Sequence, residues 1–294
     1  MKFHAFIAIL LLSAGVSAQS FDEKVTNSSN VRLNVSNSGT FGNAMRGYRD
    51  GSGNPSGEYP AGSGVEHVFE SGIWFGGLIN GSTVAVSTAA VDAPQGYSTG
   101  SSGFEFYPEQ GAALREASSL RNSPYYTPTA VSHQDFIATY SDRNVQVPGT
   151  QTQIAGHLDP LNVEVTARSY NWNYSFSDFF VILDFEIENT GANTIDSAYF
   201  GLWANTVVRN INITPAGSGG AAFYNKGGNG YFDSLQMAYC YDNSGDVGFT
   251  DSYVGQKFLG AEDKNGFQHP DANTRFNAHY TAWQFNSTSV PIYF

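Results

Sequence analysis

Val65 to Ile79 reads as one long strand, Asn80-Gly81 follows it, and Ser82 to Ser87 runs back with Val84 and Val86 in alternation. This segment constrains the fold more than any other. Asn-Gly tolerates positive φ at both central positions of a two-residue turn, as the right-handed twist of a hairpin requires. The chain has a single cysteine, Cys240. It therefore closes no internal disulfide, and its stability must come from core burial, with bound metal as the other source. Cys240 lies in the strand-like run Met237-Ala238-Tyr239-Cys240-Tyr241, and a buried, inert thiol is expected there.

β signal continues on both sides of this hairpin. Val31 to Val35 and Phe136 to Tyr140 read as short strands, and Val163 to Tyr174 alternates. Asp178 to Glu188 carries a nearly continuous apolar run, Asn189 to Asn193 turns, and Ile195 to Ala204 returns, so an antiparallel pair is expected. Further strands are expected at Ser234 to Tyr241, Ser252 to Gly260 and Arg275 to Phe285. Glu109 to Asn122 is the one segment with helical spacing, through Ala113, Leu114, Ala117 and Leu120. Pro, Gly, Thr and Gln cluster at Pro148 to Asp159, which places the expected boundary there. The expected fold is mostly β: an irregular β-rich region over 19–155 with one hairpin and a short helix, then an antiparallel β-sandwich over 156–294.

Residues 1–18 carry the marks of a cleaved export signal: Lys2, the apolar run Phe6 to Leu12, and Val16-Ser17-Ala18 before Gln19. The apolar run is too short for a bilayer core of roughly 30 Å. No later segment reads as a transmembrane span, so a secreted or surface location is expected. The formal net charge is −12, and charged residues make up only 14% of the chain against 15% aromatics. A field of that sign disfavours nucleic acid and anionic lipid, and it suits cations or neutral glycans. The apolar end at Val290 to Phe294 is the reason to expect a longer protein.

No catalytic motif stands out. There is no Gly-x-Ser-x-Gly elbow and no His-Glu-x-x-His pair, and the six histidines are not clustered. A secreted hydrolase would need a carboxylate pair from residues such as Glu66, Glu70, Asp184 or Glu186. The metal candidate is the loop holding Asp242, Ser244, Asp246 and Asp251, whose oxygens at near-alternate positions suit Ca²⁺, although the spacing departs from the EF-hand. Trp74, Trp172, Trp203 and Trp283, with Tyr170, Tyr174 and Phe176, are candidate sugar-stacking rings. Asn27, Asn34, Asn80, Asn173, Asn212 and Asn286 head glycosylation sequons.

Glu58 to Glu66 (EYPAGSGVE), Gly72 to Gly77 (GIWFGG), Asp178 to Ile182, Gly201-Leu202-Trp203 and Ala238 to Asp242 resemble segments of large exported surface proteins from bacteria with type IX secretion. That resemblance covers most of Glu58 to Phe285. It implies surface display, a β-sandwich region and a terminal sorting domain that this chain does not show. It also implies O-glycosylation acceptors at Asp196-Ser197-Ala198 and Asp233-Ser234-Leu235. The expected function is a non-catalytic structural or adhesive module whose partners are glycans or other cell-surface proteins. The expectation of export has a direct check. Intact-mass analysis of the protein recovered outside its producing cells should give a chain beginning at Gln19, whereas retention of Met1 would remove the case for export.

Overall fold

The computed structural model describes residues 21–43, 53–90, 103–109, 112–213, 227–244, 248–263, 266–269, 278–282 and 292–293. Residues 1–18, expected to be an export signal, and Asp246, Trp283 and Asn286 lie outside them. The strands are β1 (Glu23–Val25), β2 (Arg32–Ser36), β3 (Thr40–Phe41), β4 (Gly57–Glu58), β5 (Val65–Ile79) and β6 (Thr83–Thr88). There follow β7 (Tyr107–Pro108), β8 (Arg115–Ala117), β9 (Gln134–Ser141), β10 (Val163–Asn171), β11 (Ile182–Asn189) and β12 (Ile195–Asn210). Next come β13 (Gly227–Phe232), β14 (Met237–Asp242) and β15 (Tyr253–Lys257), then two small ladders, β16 (Ala261–Asp263) with β17 (Gly266–Gln268) and β18 (Thr281–Ala282) with β19 (Ile292–Tyr293).

β5 organises the first sheet. Along one edge it takes β4, β3 and β6 in turn, and along the other it takes β12. The hairpin forms as expected: Ile79 faces Thr83, and Asn80 and Gly81 both hold positive φ. The second sheet runs β11-β10-β9-β7, with β8 also on β9. Alternation on β10 is strict, odd-numbered residues buried and even-numbered ones half-buried. The two sheets face each other across one core. Val35, Phe41, Ile73 and Phe75 come from the first, and Phe136, Ala138, Tyr140, Val163 and Val165 from the second. Phe106 meets Tyr140 edge-on at 5.8 Å, and Phe41 meets Phe185 at 6.0 Å.

Two expectations are overturned. β11 and β12 do not pair with each other: β11 lies on β10 and β12 lies on β5, so the chain passes from one sheet to the other between them. Each strand turns one apolar face inward, with Leu183, Phe185 and Ile187 reaching the core from one side and Ile195 from the other. The loop between them is docked on the hairpin turn, where the Asn80 amide donates to the Thr194 carbonyl (3.0 Å) and Thr194 N–H donates to Asn80 Oδ1 (3.1 Å). Nor is there a helix over residues 112–122. Arg115–Ala117 is a strand on β9, Leu114 is buried, and Ala113 and Leu120 are exposed. The edge of β9 and the bond from Leu114 N–H to Asp22 Oδ2 (3.0 Å) outweigh a weak local periodicity. Both sheets draw strands from either side of residue 155: β12 completes the first sheet, and β10 and β11 extend the sheet of β7 to β9.

A charged row crosses the first sheet. Arg32 faces Glu58, Glu58 faces Glu66, and Glu66 faces Arg209, on four successive strands. The last three are almost wholly buried. Like charges directly opposite one another repel, so the two carboxylates need other partners. Glu58 accepts the N–H groups of Gly62 and Gly64 (both 2.8 Å), and Arg32 Nε lies 3.9 Å away. Glu66 Oε2 accepts those of Ser56 (3.1 Å) and Gly57 (2.8 Å). Gly62 and Gly64 both hold positive φ, which lets the loop curl its amides onto Glu58. Replacing Glu66 with Leu should cost about 2–4 kcal/mol, read by urea denaturation, because it leaves the buried Ser56 and Gly57 amides without their acceptor.

Candidate functional site

Four groups of residues were expected to carry chemistry, and the structure treats them differently. Glu66 is committed to the buried row above. Between β5 and β12 the register shifts twice over the stretch that separates Glu70 from Glu66, so simple alternation does not carry from one carboxylate to the other. Asp184 and Glu186 share one face of β11, as alternation requires, but both converge on Arg168. Its guanidinium donates to Glu186 Oε2 at 2.8 Å and lies 3.5 Å from Asp184 Oδ2. Those bonds to Glu186 and the neighbouring carboxylates push the Arg168 pKa further up.

In the expected metal loop, Asp242 ends β14 and is buried, and its Oδ2 accepts the Thr250 N–H at 3.2 Å. Ser244 and Asp251 are exposed, and Asp246 lies outside the described residues. Among the described residues no group of three or more His, Cys, Asp or Glu side chains is placed to hold a metal ion. Of the sequon asparagines, Asn34 is wholly buried, while Asn27, Asn80, Asn173 and Asn212 are exposed. Ser197 sits at a bulge of β12 with φ of 50°, and Ser234 lies in a single 3₁₀ turn.

The tryptophans divide. Trp74 on β5 and Trp203 on β12 stack on each other, centroids 5.7 Å apart and planes 9° from parallel, so each has one ring face occupied. Trp172 instead joins a contiguous aromatic segment after β10. Tyr170 packs on Trp172 (6.3 Å), Trp172 on Phe180 (6.5 Å), and Phe180 on Phe179 (5.5 Å). Beside them Tyr174 and Phe176 stack at 5.4 Å, and His133 meets Tyr174 at 4.7 Å. Phe176 is 73% exposed, Phe179 55% and Tyr174 50%. The backbone beneath these rings is pinned. Asn173 N–H donates to His133 Nδ1 (3.2 Å), Ser177 N–H to the Tyr174 carbonyl (2.8 Å) and Asn30 N–H to the Asp178 carbonyl (3.0 Å). Exposed rings on a fixed backbone bind at low entropic cost.

The sequence pattern missed Phe179, Phe180 and His133. The first two were absorbed into an expected strand at Asp178 to Glu188, which in fact begins at Ile182. The density of rings in Asn171 to Phe180 (NWNYSFSDFF) was the available signal, since a strand rarely needs aromatics at consecutive positions on both faces.

A cavity of about 180 Å³ lies elsewhere, lined by Tyr107, Glu109, Ser141, Arg143, Asn144, Val145 and Gln146. Its charged groups are tied together: Arg143 donates to Glu109 Oε1 (2.8 Å) and to Thr190 Oγ1 (2.7 Å). It is smaller than the roughly 300–1,000 Å³ of ordinary ligand pockets.

No protein-family model, curated protein or solved structure matches this chain. Among the described residues no helix is long and apolar enough to cross a membrane.

One buried acid gives this region a pH dependence. Burial raises the Glu105 pKa to about 7, with a further push from the charge on Asp142, against the opposing N–H of Gly103 (2.6 Å). In the unfolded chain the same group ionises near 4.5. The folded state therefore holds the extra proton between those values, and stability from this group is complete below pH 4.5 and drains away as pH rises to 7. Glu105→Gln should remove that slope. Relative to the wild type it should gain on the order of 2 kcal/mol between pH 5 and pH 8, read from urea midpoints at the two pH values.

Proposed function

We propose that this chain is a non-catalytic extracellular module, structural or adhesive, of an exported bacterial surface protein. The observation that carries the reading is the aromatic segment Trp172 to Phe180, exposed yet anchored by hydrogen bonds to Asn30 and His133. Large apolar rings on a fixed surface serve contact with a partner. Of the carboxylates named for a hydrolase, Glu66 is engaged with backbone amides, and Asp184 and Glu186 with Arg168. Export is supported by residues 1–18, and the resemblance to type IX surface proteins supports display at the cell surface.

The test is an adhesion assay with purified 19–294 on immobilised cell envelopes and extracellular polysaccharides. Phe176→Ala with Phe179→Ala should lower retention at least about tenfold with the melting temperature unchanged, because both rings are more than half exposed. Turnover of a polysaccharide or peptide substrate, lost on chelation of metal, would overturn the reading.

A further inference from the structure

The three-stranded sheet β13-β14-β15 has two unlike faces. One, through Cys240, Asp242 and Val254, is turned toward the sandwich, where Cys240 Sγ donates to the Thr206 carbonyl of β12 (3.2 Å). Ser252, just before β15, lies 2.6 Å from His67 Nε2 of β5, which fixes the sheet in place. The other face carries, in register, Gly228, Gly230 and Phe232 from β13, Met237, Tyr239 and Tyr241 from β14, and Tyr253, Gly255 and Lys257 from β15.

Glycine at 228 and 230 has a specific effect. A Cβ at Gly228 would lie 2.5 Å from the Tyr241 hydroxyl, and one at Gly230 would lie 2.6 Å from that of Tyr239. The two rings therefore lie down across the bare backbone of β13 instead of standing up from the sheet. With Tyr253 they form a continuous patch, centroids 5.8 to 6.2 Å apart. Tyr253 is 63% exposed and Phe232 50%.

We infer that this tyrosine–glycine face binds a single strand of a soluble, neutral glycan. Ring faces take the C–H faces of sugars, and tyrosine hydroxyls serve sugar hydroxyls as both donors and acceptors. Charge matching selects the neutral class. Among the described residues the face carries one cation, Lys257 at its end, and no carboxylate, and the chain as a whole, at −12, repels polyanions. Shape selects a single strand. The ring planes differ by 30° to 54°, so the patch twists with its sheet and does not present a plane to a crystalline polysaccharide surface. The inference rests on the reading as a non-catalytic binding module but uses a surface apart from Trp172 to Phe180.

The experiment is affinity electrophoresis and calorimetry of 19–294 with soluble glucans, mannans and xylans, beside pull-down on crystalline cellulose and chitin. At least one soluble glycan should retard the protein. Tyr253→Ala, at an exposed position, should weaken that binding about tenfold with melting unchanged. Gly228→Val, which lifts Tyr241 off β13, should also weaken it, and Tyr241→Phe should retain most of it. Four results overturn the inference: no retardation by any soluble neutral glycan, binding indifferent to Tyr253→Ala, binding lost only with Phe176→Ala, or self-association that Tyr253→Ala abolishes. If Phe176-dependent adhesion persists without glycan binding, only this inference fails. Substrate turnover would instead remove the reading on which it rests.

Discussion

The charge row Arg32–Glu58–Glu66–Arg209 holds the first sheet in register, and the rest of the molecule is built against that sheet. Three of its members are almost wholly buried, so a one-residue slip of any of the four strands would leave an ionised group in the interior without its partners. Such a penalty is worth several kcal/mol, a large part of the stability of a typical domain. Apolar alternation alone penalises a slip only by turning side chains to the wrong face. Here Glu58 and Glu66 add four specific backbone amides that must arrive at the right place.

From that fixed sheet the other elements follow in order. β5 has neighbours along both edges, so strands from the beginning of the chain and from β12 become parts of one structure. β12 sits there only because the chain leaves the second sheet after β11, and the loop that carries it across is held by Asn80 of the hairpin turn. The same β5 and β12 then hold the third sheet, through His67 with Ser252 and Thr206 with Cys240. Burial pushes the Cys240 thiol up, consistent with a packing role.

Aromatic residues, so abundant in this chain, have three separate fates. Phe41, Phe106, Phe136 and Tyr140 fill the core between the sheets. Trp74 and Trp203 are occupied with each other. The rings of 170–180 and of the tyrosine–glycine face remain at the surface, fixed from beneath by hydrogen bonds in one case and by glycine backbone in the other. Among the described residues, both of these sets are open to contact with a partner. Nothing in the identity of a Trp or Tyr distinguishes the three fates, because each depends on what lies on the neighbouring strand.

The local chemistry was legible in the residues themselves. Asn80-Gly81 specifies its turn through backbone sterics that need no partner, and the alternation from Val163 to Asn171 marks a strand with one face buried. The lone cysteine already pointed to a chain held by core burial, and the strand patterns to a mostly β fold. Which strands pair is a different matter, since pairing joins residues far apart in sequence whose patterns suit many partners. Ile195–Asn210 could not be assigned to β5, nor Arg115–Ala117 to β9, from periodicity alone. The same limit applies to the sites. Trp172 and Trp74 are alike as sequence, and nothing local marks Gly228 and Gly230, until the neighbouring strands place one indole against another and two tyrosine rings across bare backbone. Sequence determined the conformations that each segment prefers; the tertiary structure decided which rings and carboxylates were consumed in packing, because only cross-strand neighbours remove a side chain from water.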